Sequence, residues 1–352
     1  MEISTANEEG EGGEAGSAST GTAAGSAPNG EEGELTRAGK KRETAQSLAR
    51  IQQRGEGGEG SPSKRGAIEV KTDLNFDTVP ACIASELAPA INSCTQLERL
   101  SIRHCPGVSR DDLLGLAGLS SLRHVSIRGM VRVDDLALVH FLKRCGSNLE
   151  SLDVGLCRQL TKASLLKIGE VCPCLKRVAL SGLTNAVDDE VVASLSPLPL
   201  EVVHLRACKR VEGKGLEGLK KSTLRQLSLH SVENLTQATL FDFFSSPALG
   251  CISSVDLSWL RCVDDTFLLS LSDYLREMRL CLLWGCMTVS DEVMNEIRER
   301  ADRRGYKCRV FGGNSGQRVD AASIEVDSSY SGEENMMQVG KRLEMEWSLL
   351  HT

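Results

Sequence analysis

One phrase returns eight times in this chain, and the recurrence restricts the fold more than composition does. The phrase L-x-x-L-x-L-x-x-C, with substitutions, reads LERLSIRHC from Leu97, LRHVSIRGM from Leu122, LESLDVGLC from Leu149, LKRVALSGL from Leu175 and LEVVHLRAC from Leu200. LRQLSLHSV from Leu224, ISSVDLSWL from Ile252 and the degenerate MRLCLLWGC from Met278 complete the series. Successive starts lie 25, 27, 26, 25, 24, 28 and 26 residues apart. A fixed period of this length marks units that bury their apolar faces only by stacking on their neighbours.

The alternation inside each phrase is that of a half-buried strand. An apolar residue follows shortly after the cysteine column: Val108, Val133, Leu160, Val187, Val211, Leu235, Val263 and Val289. The next position holds Ser109, Asp134, Thr161, Asp188, Glu212, Thr236, Asp264 or Ser290, so seven of eight are good helix N-caps. Helix-like stretches such as EVVASL and QATLFDFF come next. Each unit is therefore strand, turn, cap, helix. Asp264 and Asp265, which sit beside Cys262 in RCVDD, read as a helix start and not as a metal or catalytic site. This pattern resembles the leucine-rich repeats, a resemblance that implies an α/β solenoid of about eight units with a parallel sheet on the concave face and helices outside.

Composition excludes several function classes. The 13 cysteines are odd in number. Cys105, Cys157, Cys208 and Cys286 share one column with Met130, Leu183, Val232 and Leu260, the signature of an apolar slot and not of a disulfide framework. Cys172-Pro-Cys174 lacks a second pair at zinc spacing, and the six histidines form no metal motif. No phosphate-cradling glycine loop or nucleophile elbow is present, so a non-enzymatic chain without metal or cofactor is expected. The net charge of −7 argues against a general polyanion binder. The first 34 residues carry no Lys or Arg and no apolar run, and no segment has the roughly 18 apolar residues of a membrane span. The expectation is a nuclear or cytoplasmic protein, neither secreted nor membrane-bound.

Four regions follow. Residues 1–66 are rich in Gly, Glu, Ser and Ala and read as disordered, with a basic segment over 35–54. Residues 67–96 are either a cap on the first repeat or an adaptor-docking segment. Residues 97–313 hold the repeats, closed by a strand-like KCRVF. Residues 314–352 are read as a flexible tail, acidic and Ser-rich over 318–335, with an amphipathic KRLEMEWSLL near its end.

The repeat phrase with its V/L-[STD] and helix resembles the cysteine-containing class of leucine-rich repeats, which includes F-box proteins and mitotic-exit antagonists. SSVDLSWLRCVDDTFLLSL, the later LLWGCMTVSDEV and the basic GKKRETAQSLARIQQR are most similar to the Rad-seven family of nucleotide-excision-repair subunits. That resemblance implies a protein-recognition subunit of a cullin-type ubiquitin ligase. Its implied partners are a ligase adaptor and cullin, a Swi/Snf-type repair ATPase and a substrate protein. The adaptor box of that family needs an apolar residue four positions before a cysteine. In TVPACIASEL that position, relative to Cys82, is Thr78, and Pro80 interrupts the segment. The other reading is a free-standing cell-cycle regulator of the mitotic-exit-antagonist type.

Strand parity makes the concave-face positions readable. It directs Arg99, Arg103, His124, Arg128, Arg177, His204, Arg206 and His230 outward, with Asp153 and Asp256 as acidic exceptions. Trp259 and Trp284 fall at or beyond strand ends as candidate anchors for a protein partner. No regular stacking aromatics occupy these positions, which argues against sequence-specific nucleic-acid recognition.

Overall fold

Ten short strands pair in chain order, each parallel to the next, in one continuous sheet among the described residues. The computed structural model describes residues 73–75, 91–92, 94, 96–116, 119–221 and 223–313. The expectations for residues 1–66, for most of 67–96 including Cys82, and for the tail beyond 313 lie outside them. The described residues all belong to the compact unit Glu43–Thr352.

The strands are β1 Asp73–Asn75, β2 Arg99–Ser101, β3 His124–Ser126, β4 Ser151–Asp153, β5 Arg177–Ala179, β6 Val202–His204, β7 Gln226–Ser228, β8 Ser254–Asp256, β9 Leu280–Trp284 and β10 Arg309–Gly313. Eight of them, β2 to β9, are the repeat phrases. The pairing of Leu100 with Val125, then Leu152, Val178, Val203, Leu227, Val255 and Cys281, puts one apolar residue per repeat in register. All eight are buried in a single core that runs the length of the stack. Two strands lie beyond the repeats: β1 pairs with β2, and β10 closes the other end on β9.

Among the described residues the chain returns through α1 Arg110–Leu116, α2 Asp135–Cys145, α3 Lys162–Leu165, α4 Ile168–Val171, α5 Asp189–Ser194, α6 Gln237–Phe244, α7 Asp265–Tyr274 and α8 Asp291–Arg303. Their caps are the expected ones. Asp134 accepts from Ala137 N at 2.9 Å, Asp264 from Phe267 N at 2.8 Å, and Thr236 forms a reciprocal pair with Thr239. The one unit with Glu212 at this position has no α-helix; Lys214–Leu219 is a 3-10 turn entered through left-handed Gly213. Losing the short capping side chain thus coincides with losing the helix start.

Three units carry the triplet Val-Asp-Asp, and its two carboxylates have separate tasks. The first caps its own helix. The second reaches the following repeat: Asp135 accepts from Thr161 N at 2.8 Å, Asp189 from Gly213 N at 3.0 Å, and Asp265 from Ser290 N at 2.8 Å. Asp265 is therefore more than favourable charge in a first helical turn. It ties one unit's cap to the last unit's cap.

The cysteine slot has a similar inter-repeat logic. The thiols of Cys157, Cys208 and Cys286 donate to the carbonyls of Ile127, Leu180 and Leu257, each in the preceding unit. Burial pushes these thiols up, to about 12 for Cys157 and Cys208 and to about 11 for Cys286. They remain protonated donors at neutral pH and poor nucleophiles.

Candidate protein-recognition surface

The sheet face turned away from the helices is organised in three outward columns. The first runs Arg99, His124, Ser151, Arg177, Val202, Gln226, Ser254 and Leu280, and the second Ser101, Ser126, Asp153, Ala179, His204, Ser228, Asp256 and Leu282. Backbone bonds continue the ladder past the strand ends: His104 N donates to Arg128 O, Gly182 N to Arg206 O, and Trp259 N to Trp284 O. This extension sets the third column, Arg103, Arg128, Gly155, Ser181, Arg206, His230, Ser258 and Trp284. The candidate residues Arg99, Arg103, His124, Arg128, Arg177, His204, Arg206, His230 and Trp284 all lie in these columns, while Trp259 stands one residue beyond them.

Electrostatics concentrates the positive charge of this face on arginine. Burial, with Arg99 and Arg177 nearby, lowers the pKa of His124, and burial beside Arg206 takes His230 down to about 3. Both imidazoles are neutral at pH 7. The arginines are partly engaged: Arg99 lies 3.7 Å from Asp73, Arg128 lies 3.7 Å from Asp153, and Arg103 donates to Ser126 Oγ at 2.9 Å. Ser126 Oγ in turn donates to Asp153, whose other oxygen accepts from Gly155 N.

The same serine-to-aspartate motif recurs four strands on, but buried. Ser228 Oγ donates to Asp256 at 3.0 Å, and Ser258 N donates to its other oxygen at 3.1 Å. Parity directs Asp256 outward, yet it is only 3% exposed, because Leu282 pairs beside it and His230 lies 3.7 Å away. Burial raises its pKa against the hydrogen bonds from Ser258 and Ser228. With His230 neutral, this is a polar floor and not an ion pair.

Beyond Asp256 the face turns apolar. Leu282 and Phe311 are buried together with Leu280 and Trp284 packed against them, and the rings of Trp284 and Phe311 stack at 6.4 Å. Trp259, by contrast, is 57% exposed.

Trp259 belongs to a further column that the sequence reading missed. Its φ is +61°, and the equivalent residue of every unit is left-handed: His104, Gly129, Leu156, Gly182, Ala207, Ser231, Trp259 and Gly285. A Cβ on Gly129 would meet His104 at 2.4 Å, one on Gly182 would meet Leu156 at 2.3 Å, and one on Gly285 would meet the Trp259 ring at 2.5 Å. Large side chains thus lie across the glycine of the next unit. The glycines at this period were the available signal.

Also missed was the position just before each strand: Glu98, Arg123, Glu150, Lys176, Glu201 and Arg225 alternate in sign. Glu150 meets Arg123 at 2.7 Å and Lys176 at 2.9 Å, and hydrogen bonds from Lys176 and Arg123 hold its carboxyl down at about 2. Among the described residues no cluster of three or more His, Cys, Asp or Glu is placed to hold a metal ion, and no helix is long and apolar enough to cross a membrane.

A continuous parallel sheet in chain order with helices on one side defines a leucine-rich-repeat solenoid, here with a buried cysteine slot. The chain is similar to the DNA repair protein rhp7 of Schizosaccharomyces pombe, 29% identical over 233 residues that cover 63% of this chain. It spans about two fifths of that relative's length, the match covering 40% of it. Among solved structures, the complex of Rad7 and Elc1 in yeast matches at 14% identity and TM-score 0.36, covering 61% of this chain and 81% of that one. The leucine-rich-repeat protein LegL7 of Legionella pneumophila matches at 15% identity and TM-score 0.42, covering 66% of this chain and 91% of that one. No known protein-family profile matches the chain.

Proposed function

We propose that this chain is a non-catalytic recognition subunit of a nuclear DNA-repair assembly, taking a protein partner on the open sheet face. The observation that carries the reading is the 29% identity with a DNA repair protein over 233 residues. The geometry supports a binding role, since the outward columns offer arginines at one end and an apolar, aromatic cluster at the other. Such a surface binds by contact along several units at once. The finer reading places the chain in global-genome nucleotide-excision repair as substrate receptor of a cullin-type ubiquitin ligase, beside a Swi/Snf-type ATPase. It rests on the sequence resemblance, which would make residues 67–96 the adaptor-docking segment, while Thr78 and Pro80 depart from that family's box and favour the cap reading of the same residues.

The test is purification of the tagged full chain from nuclear extract, with and without ultraviolet damage, followed by mass spectrometry. Recovery of a repair ATPase with a ligase adaptor and cullin supports the full reading. A repair ATPase without ligase components keeps the repair role and removes the receptor role. A signalling protein with neither would replace the proposal by the cell-cycle-regulator reading.

A further inference from the structure

The third outward column joins the arginines of the open face to the end of β10. In register it runs Arg103, Arg128, Gly155, Ser181, Arg206, His230, Ser258 and Trp284, and Trp284 pairs with Gly313, the last residue of β10. From β2 to β6 the three columns hold five arginines against one carboxylate, Asp153. Small residues at Gly155, Ala179 and Ser181 lie between these arginines, and Arg128 Nη1 would be only 2.5 Å from a Cβ on Gly155. Among the described residues these three positions carry no large side chain.

The sequence beyond Gly313 is opposite in charge. Between residues 314 and 340 it carries Asp320, Glu325, Asp327, Glu333 and Glu334 against Arg318 alone. We propose that this acidic segment, residues 320–334, docks in cis along the arginine column of the open face and competes there with acidic partners.

The lengths match. Neighbouring strands are about 4.8 Å apart, so Arg206 lies roughly 19 Å and Arg128 roughly 34 Å across the sheet from β10. At about 3.3 Å per residue, Asp320 reaches roughly 23 Å from Gly313 and Glu334 roughly 70 Å. At the foot of the column the Trp284 indole Nε1 is buried without an acceptor among the described residues. A backbone carbonyl of the segment leaving Gly313 would satisfy it. The idea concerns the face assigned above to partners but does not depend on the repair reading, because the test uses this chain alone.

The test compares the natural full chain with a full chain whose tail acids are neutralised: Asp320→Asn, Glu325→Gln, Asp327→Asn, Glu333→Gln and Glu334→Gln. A fluorescein-labelled peptide of residues 318–335 is the probe, read by anisotropy. Tethering gives a local concentration of about 1 mM, so a peptide binding near 0.1 mM in trans should bind the neutral-tail chain about tenfold tighter than the natural chain. Adding Arg128→Glu and Arg206→Glu to the neutral-tail chain should abolish the gain, with matching urea midpoints confirming that the variants are folded. Raising the salt to about 0.3 M should shrink it. Equal affinity for natural and neutral-tail chains, or binding to neither, overturns the proposal.

Discussion

Replacing Asp135 by Ala tests the division of labour within the Val-Asp-Asp triplet. Its carboxylate accepts from Thr161 N at 2.8 Å, from Thr161 Oγ1 at 2.5 Å and from Ser164 Oγ at 2.5 Å, all in the next unit. Its neighbour Asp134 accepts one helix-cap bond from Ala137 N, plus an exposed contact from Arg110 at 3.4 Å. A hydrogen bond contributes about 1 kcal/mol net, more when the acceptor is charged. Thr161 is exposed and can turn to water, and Ser164 keeps the Thr161 carbonyl at 3.1 Å, so the three bonds are not lost at full value. Asp135→Ala should therefore destabilise by about 2–3 kcal/mol and Asp134→Ala by about 1 kcal/mol. Urea unfolding at pH 7 measures both, and an unchanged slope confirms that the same surface is being exposed. The pH dependence adds a check of sign. Burial works to raise the Asp135 carboxyl, but hydrogen bonds from Ser164 and Thr161 outweigh it and leave the pKa lowered. Its contribution is then complete above the ordinary carboxylate range and is lost as pH falls through the depressed folded value. Equal losses for the two variants, or a larger loss for Asp134→Ala, would refute the inter-repeat role.

Gly285→Ala should cost more than Gly305→Ala and shift tryptophan emission. Both positions are left-handed, but a Cβ at Gly285 meets the Trp259 ring at 2.5 Å whereas one at Gly305 meets nothing within 4 Å. The strain common to both is about 1–2 kcal/mol, and equal thermal shifts would show that the ring is not held there. In native thiol labelling followed by peptide mapping, exposed Cys174 should react well before Cys157 and Cys208, which, pushed up to about 12, stay unlabelled until unfolding. Early labelling of either would contradict the closed slot. Carbon-detected titration should find Glu150 still ionised near pH 3, with its stabilising contribution lost only as pH falls toward about 2. Replacing both Arg123 and Lys176 by Gln should return it toward the usual carboxylate range, and no change would dismiss the ladder as its cause.

The solenoid was legible because its determinants are local and periodic. Leucines at fixed offsets set the sheet register, and a Ser, Thr or Asp before each apolar stretch set the helix starts. The outward positions followed from parity alone. Parity specifies a face, however, and not its exposure. Asp256 and Asp153 read alike in sequence, but Leu282 and His230 cover only the first, which makes it a buried floor instead of a surface charge. The left-handed column was harder to find because it mixes His104, Leu156, Ala207, Ser231 and Trp259 with glycines. Its rule lies between units, where a large side chain needs a glycine beneath it. The second aspartate of each triplet was hidden for the same reason, since its partner is a backbone amide some 25 residues away.

Lesion removal in cells decides whether this chain is a recognition subunit acting in DNA repair. The rate of photoproduct loss after ultraviolet irradiation would be measured in cells lacking the chain, complemented either by the natural sequence or by Arg177→Glu with Arg206→Glu. Slow removal without the chain, rescue by the natural sequence and failure of the folded charge-reversed variant are the results predicted. Removal at the normal rate in cells lacking the chain would contradict the claim.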